Sequence, residues 1–165
     1  MTFHYQLAMA SEVLVADIAN PSSNTIRQDL INAITVILEP VLNARRSHLL
    51  EGEDDDDEVE YRNVLDTVTF DFISRGSLPE TSCSSPYCVV VTSTVFILTT
   101  EREDSVKLAT YGIMQASMDP NSNLFVKEVD NELVLGVFYG RSDGVPDDVC
   151  LYDCLSGKEE KEQCG

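Results

Sequence analysis

Two histidines, His4 and His48, are the residues best suited to acid–base chemistry in this 165-residue sequence. A nucleophilic triad would need one of them to meet a serine or cysteine and an acid. His4 instead lies in an alternating, strand-like stretch, and His48 follows an apolar helical stripe. The sequence also lacks a nucleophile elbow, a phosphate-binding glycine loop and a zinc-protease motif. It therefore predicts neither enzymatic activity nor a cofactor.

A block of acidic residues spans Glu51–Glu60 and offers carboxylates for cation binding. The weak cation-binding candidates are Glu53, Asp54, Asp55, Asp56, Asp57 and Glu58. Mutual repulsion favours a solvated loop inserted into the domain. The alternative is a low-affinity site for cations or polycations, of the kind found in acidic matrix and biomineral-associated proteins. Because crowded carboxylates raise one another's pKa, a further hypothesis is that mild acid discharges them and strengthens self-association.

The five cysteines fall into two clusters. Cys83 and Cys88 precede the longest apolar run, and Cys150, Cys154 and Cys164 lie near the end of the chain. Loop cysteines in a small acidic protein favour disulfides and an oxidising compartment. Local pairs, Cys83–Cys88 and Cys150–Cys154, and a link between the two clusters are both open. A zinc site is disfavoured because these spacings lack neighbouring histidine ligands.

The composition is that of one acidic globular domain. Hydrophobic residues make up 43% of the chain, enough for a core, and the formal net charge is −18. Such a surface repels nucleic acid and attracts cations, basic proteins or polyamines. No apolar run has the length of a membrane span, and no signal peptide is evident after Met1. We expect the extracellular or luminal domain of a larger secreted or membrane-anchored protein, without direct membrane insertion.

Five stretches have the character of strands. The longest, Tyr87–Thr100, is apolar on both faces and is predicted to be the central strand of a sheet. Thr2–Ala10 and Val64–Ile73 alternate between apolar and polar residues, which is typical of half-buried strands. The apolar face of the latter comprises Val68, Phe70 and Phe72. Leu124–Val129 and Glu132–Tyr139 are two shorter strand candidates, which would form a hairpin or one bulged strand.

Two helical stripes lie between these strands. The apolar positions of the first are Ile26, Leu30, Ile31, Ile34, Ile37, Leu38, Val41 and Leu42. Pro40 interrupts this stripe and predicts a kink or a division into two short helices. The second stripe runs over Val106–Met118 and is stopped by Asp119-Pro120.

The order β-α-β-β-α-β predicts an α+β, ferredoxin-like antiparallel sheet with both helices on one face. Residues 1–140 would form this domain, and residues 141–165 a cysteine-containing loop and tail. The first and third strands should occupy the centre of the sheet, and their open face should carry His4 and Gln6. The candidates for self-association on that face are His4, Thr94, Phe96 and Leu98. Phe96 and Leu98 are either covered by the terminal loop or hairpin, the favoured interpretation, or form an apolar patch for self-association.

Two short motifs accompany this topology. Gly76-Ser77 lies in the hairpin before the third strand, and Cys88–Val91 opens that strand. With a kinked or divided first helix, the arrangement resembles the SEA domain family over Phe3–Tyr139, in topology only. The resemblance implies a domain near the membrane on an anchored glycoprotein, and self-cleavage at a Gly-Ser bond followed by valines. Here Leu78-Pro79 follows the serine and ten residues separate the two motifs, so we expect no cleavage.

The expected function is that of a non-catalytic interaction or structural domain, whose partner is another protein or a second copy. Self-association would depend on pH. One alternative is an acidic cation- or matrix-binding protein acting through its acidic block. A second alternative is an autoproteolytic SEA domain.

Overall fold

The computed structural model describes residues 1–12, 18, 25–43, 62–79, 81, 83–100 and 102–143. Its elements are β1 (Thr2–Met9), α1 (Thr25–Leu42), β2 (Asn63–Arg75), β3 (Tyr87–Thr99), α2 (Glu103–Ser117), α3 (Leu124–Val129) and β4 (Val134–Asp143). The predicted acidic loop, His48, and the cysteines Cys150, Cys154 and Cys164 lie outside the described residues.

The strands form one open sheet in the order β2-β3-β1-β4, and every neighbouring pair is antiparallel. This confirms an α+β fold with a four-stranded antiparallel sheet. It also confirms that the first and third strands occupy the centre. β4 continues to Asp143, three residues past the predicted end of the domain.

The core lies between one face of this sheet and the helices. Phe3 and Tyr5 of β1 are fully buried, in keeping with the predicted alternation. The Phe3 ring contacts Tyr111 of α2 with centroids 5.4 Å apart, and the Tyr5 ring contacts Phe125 of α3 at 5.7 Å. Ile34 of α1 belongs to the same buried cluster. In the part of the chain that the structure describes, α1, α2 and α3 therefore cover one face, and none of these three helices lies on the opposite face.

α1 is a single helix that continues through Pro40, so the predicted division into two helices is wrong. Proline removes the hydrogen bond that its amide would donate to the carbonyl four residues earlier, here that of Val36. Val36 and Pro40 are both exposed, so water can satisfy that carbonyl. The helix ends two residues later at Leu42, which limits the cost of the missing bond.

α3 corrects a second prediction, because Leu124–Val129 is a short helix and not a strand. Phe125 and Val129 are both buried, and their spacing of four residues suits one face of a helix. Asn123 and Asp130 flank the helix in the left-handed conformation, which asparagine and aspartate tolerate well. A stretch of six residues does not distinguish a helical from an alternating pattern.

The hairpin of β2 and β3 projects beyond the rest of the sheet. β1 begins at Thr2, which pairs with Thr94, and Met1 adds hydrogen bonds with Val95, whereas β3 continues to Thr99, which pairs with Asn63. The outer part of the hairpin is therefore two strands wide. This extension carries two of the predicted candidates for self-association, Phe96 and Leu98.

Candidate interaction surface

The four predicted self-association residues lie on the same open face of the sheet. The Thr94 hydroxyl is 2.9 Å from that of Thr2, and the His4 Nδ1 atom is 2.9 Å from the Thr92 hydroxyl. Phe96 and Leu98 follow Thr94 at alternate positions of β3 and therefore share its face. His4 lies at the centre of the sheet, while Phe96 and Leu98 lie on the projecting hairpin.

One half of the open face is covered by the loop between β2 and β3. The Leu78 amide donates a hydrogen bond to Gln6 Oε1 over 2.8 Å. Gln6 and Ala8 are buried, which corrects the prediction that Gln6 is exposed. Leu78 also lies against Gly140, where an added Cβ would be only 2.7 Å from Leu78 Cδ1. The cover over Gln6 and Ala8 is this internal loop. The terminal loop that was predicted to cover Phe96 and Leu98 lies outside the described residues.

The covering loop is fixed at its base. Cys83 and Cys88 form a disulfide, which confirms the first of the two predicted local pairs; the second, Cys150–Cys154, lies outside the described residues. Ser85 Oγ donates a hydrogen bond to the carbonyl of Met9 over 2.5 Å. These ties attach the loop to β1 and to the start of β3, so it holds its position over the sheet.

Four apolar side chains are exposed on the open face; Phe72 pairs with Thr92 nearer the sheet centre, and the other three are adjacent on the projecting hairpin. Val64, Phe96 and Leu98 are 48%, 47% and 63% exposed. Val64 is directly opposite Leu98 in the register of β2 and β3, and Phe96 follows one alternation along β3. We call these three residues the hairpin patch. Adjacent exposed apolar side chains on one sheet face are typical of protein-binding sites.

Val64 was not predicted to lie on this face, because β2 departs from strict alternation twice. Its register with β3 shifts between Leu65 and Thr67, and again between Phe70 and Phe72. Each β-bulge reverses the side on which the following residues point. Val68 is therefore buried, while Phe72, which was predicted on the same face, is exposed.

Hydrogen-bonded polar side chains adjoin the patch on the side of the sheet centre. Asp71 accepts hydrogen bonds from the hydroxyls of Thr69 and Thr94, the first over 2.9 Å. Asp71 is exposed and lies at the second bulge. This network holds its carboxylate at a fixed place on the open face.

A positive charge lies at the opposite end of the patch. The Arg62 amide donates a hydrogen bond to Thr100 Oγ1 over 2.8 Å, one step beyond the pair of Asn63 and Thr99. Asn63 points towards the helices, since its Nδ2 atom donates to the Val41 carbonyl over 3.0 Å. Alternation then places Arg62 on the same side as Val64, the open face. Arg62 and Asp71 thus flank the patch along β2.

The helix-covered face contains three buried hydroxyls, those of Tyr5, Ser93 and Tyr139. Among the described residues none of them has a hydrogen-bond partner. Burial raises the pKa of Tyr5, and the nearby Ser93 hydroxyl opposes this to a smaller extent without forming a hydrogen bond of normal geometry. Burial likewise raises the pKa of Tyr139, with a further contribution from Tyr111. These hydroxyls stay protonated, which does not suit them to act as bases.

Gly76-Ser77 lies where β2 ends and the covering loop begins. Gly76 has a φ of +129° and its amide donates a hydrogen bond to the Cys88 carbonyl over 3.0 Å. A positive φ is readily adopted by glycine, so this turn needs no backbone strain. The described geometry therefore gives no support to cleavage at this bond.

Neither a metal site nor a membrane span is found in the part of the chain that the structure describes. No three of its histidine, cysteine and acidic side chains are grouped so that they could hold a metal ion. None of its helices combines the length and the apolar character that crossing a membrane requires. No family model matches the chain, and no curated protein or solved structure is detectably similar to it.

Proposed function

We propose that this chain is a non-catalytic interaction domain that binds protein through the hairpin patch. The observation that carries this proposal is the exposure of Val64, Phe96 and Leu98 side by side on the open face, away from the part around Gln6 and Ala8 that the loop buries. Burial of exposed leucine and phenylalanine side chains by a partner is favourable by roughly 25 cal/mol for each Å² of apolar surface removed from water. A two-stranded sheet surface suits a protein partner better than a small molecule, which needs a concave pocket.

A ferredoxin-like topology is part of this proposal. Read from the other edge, the sheet has the order β4-β1-β3-β2. Along the chain, α1 lies between β1 and β2, and α2 and α3 lie between β3 and β4. We further propose a likeness to SEA domains, supported by this order and by the long hairpin before β3. The proposed binding through the hairpin patch does not depend on either of these two likenesses.

We place this domain outside the cell or in a secretory lumen, as part of a larger secreted or membrane-anchored protein. The support is the Cys83–Cys88 disulfide, because such bonds persist in oxidising compartments. Reduced cysteines at both positions in protein isolated from its own cells under thiol-blocking conditions would contradict this location.

A photo-crosslinker placed in the patch tests the proposed function. A benzophenone side chain at Leu98 should yield a discrete protein adduct when the chain is displayed in its own cells. The matched control is the same group at Leu135, which is similarly exposed but lies on β4. Adducts at position 98 alone support binding through the patch. The absence of adducts at both positions, or equal yields from both, would overturn it.

A further inference from the structure

We propose that the partner of the hairpin patch is a second copy of this chain, related by a two-fold axis that crosses the strands between Phe96 and Leu98. This inference rests on the proposed function, to which it adds the identity of the partner and the arrangement of the contact. It follows from the order of apolar and charged side chains along β2 and β3.

The apolar part of the patch is self-complementary about this axis. Two sheets that face each other pack about 10 Å apart with interdigitating side chains. A two-fold axis in the plane between them reverses the direction of each strand. Leu98 then lies over the partner's Phe96, and the equivalent contact is repeated on the other side of the axis. Val64 lies beside these two pairs on β2.

The charges at the two ends of the patch match in the same arrangement. Arg62 is level with Thr100, and Asp71 is bonded to Thr94, six residues earlier on β3. The two rows are about 20 Å apart, with Phe96 and Leu98 between them. Reversal about the axis places Arg62 over the partner's Asp71, and the same pair forms again at the other end. One surface therefore supplies both members of two ion pairs at its rim.

The rest of the open face leaves room for this contact. The covering loop is held by Gln6, which pairs with Val90, four residues before Thr94. It therefore lies outside the overlap between the rows of Thr94 and Thr100. The helices pack on the other face of the sheet. The net charge of −18 makes two copies repel, but salt at physiological ionic strength screens such repulsion beyond about 8 Å.

Exchange of the two rim charges tests this arrangement in the intact chain. Arg62→Asp places two aspartates opposite each other in the dimer, and Asp71→Arg places two arginines opposite each other. Each variant alone should weaken dimerisation at least about tenfold in sedimentation velocity, since like charges replace both ion pairs. An equimolar mixture of the two should dimerise about as well as the original chain, because both pairs are restored. Asp104→Arg, an exposed change on α2 and away from the rim, is the control and should not weaken dimerisation.

The outcomes separate this inference from the proposed function. Failure of the mixture to dimerise, or no effect of either single variant, would overturn the two-fold arrangement. A chain that stays monomeric at millimolar concentration would overturn the second copy as partner. In that case, if the benzophenone at position 98 formed an adduct with a different protein, the proposed function would stand. If it formed no adduct, both the proposed function and this inference would be overturned.

Discussion

At the scale of single residues, the buried hydroxyl of Tyr5 is the clearest departure from an ideal core. It is fully buried beside Ser93 and has no hydrogen-bond partner among the described residues. A buried hydroxyl without a partner loses its bonds to water and gains nothing in exchange. The ring, by contrast, packs against the tilted ring of Phe125 and carries the favourable part of the contact. The residue type is therefore explained by the ring and not by the hydroxyl.

Tyr5→Phe should leave the free energy of unfolding at pH 7 unchanged or raise it by up to about 1 kcal/mol. The variant should also resist alkali better. Burial raises the pKa of folded Tyr5 above its ordinary value near 10, so the unfolded chain loses this proton first. The contribution that protonation of Tyr5 makes to the free energy of unfolding is complete below about pH 10 and is lost as pH rises further. Urea unfolding at pH 7 and pH 10.5 measures both effects, with exposed Tyr87→Phe as the control. If Tyr5→Phe lowered the free energy of unfolding by more than about 1 kcal/mol at pH 7, the account would be contradicted.

At the scale of elements, the fit of the covering loop onto the sheet depends on a glycine in β4. A Cβ at Gly140 would lie 2.7 Å from Leu78 Cδ1 and 2.9 Å from the backbone oxygen of His4. The leucine side chain can shift, but the oxygen belongs to the central strand β1. A Cβ at Gly136, on the same strand, would meet only Ala8 Cβ at an ordinary 3.8 Å. The two glycines therefore form a matched pair.

Gly140→Ala should lower the free energy of unfolding by about 1–3 kcal/mol, as overpacking does elsewhere. Gly136→Ala should change it by less than about 0.5 kcal/mol, because the added methyl group has room. Thermal or urea unfolding of the two variants provides the comparison. Equal stability of both variants would mean that Leu78 does not press on β4 in solution.

The elements also mark the limit of what alternation and composition predict. The central positions of β1 and β3 followed from their apolar patterns, because a strand buried on one or both faces must repeat its apolar residues. The exposure of Val64 and Phe72 did not, since two bulges in β2 reverse the pattern and leave no composition signal. α3 is too short for its helical period to be recognised. The cover over Gln6 depends on a contact between distant parts of the chain, which local pattern does not encode.

At the scale of the whole molecule, the hairpin patch is an apolar surface on a strongly acidic protein. Its candidate residues were partly predicted, because Phe96 and Leu98 followed from alternation along β3. Arg62 and Asp71 were not predicted, because only the structure places them at the two ends of the patch. Eight of the 29 acidic residues lie in the segment Glu51–Glu60, which ends four residues before Val64. Repulsion from these charges keeps copies apart at long range, so an apolar contact must act at short range.

Replacement of Leu98 by serine tests most directly whether a second copy binds through the patch. Leu98 is 63% exposed, so Leu98→Ser should hardly change folding stability. If the patch is the contact, each copy loses a buried leucine there, and the dissociation constant for self-association at 150 mM salt should rise at least about tenfold. Leu135→Ser, at 58% exposure, should leave it unchanged. Sedimentation velocity over a range of concentrations measures both constants. Equal self-association of Leu98→Ser, Leu135→Ser and the original chain would contradict the binding of a second copy through the patch.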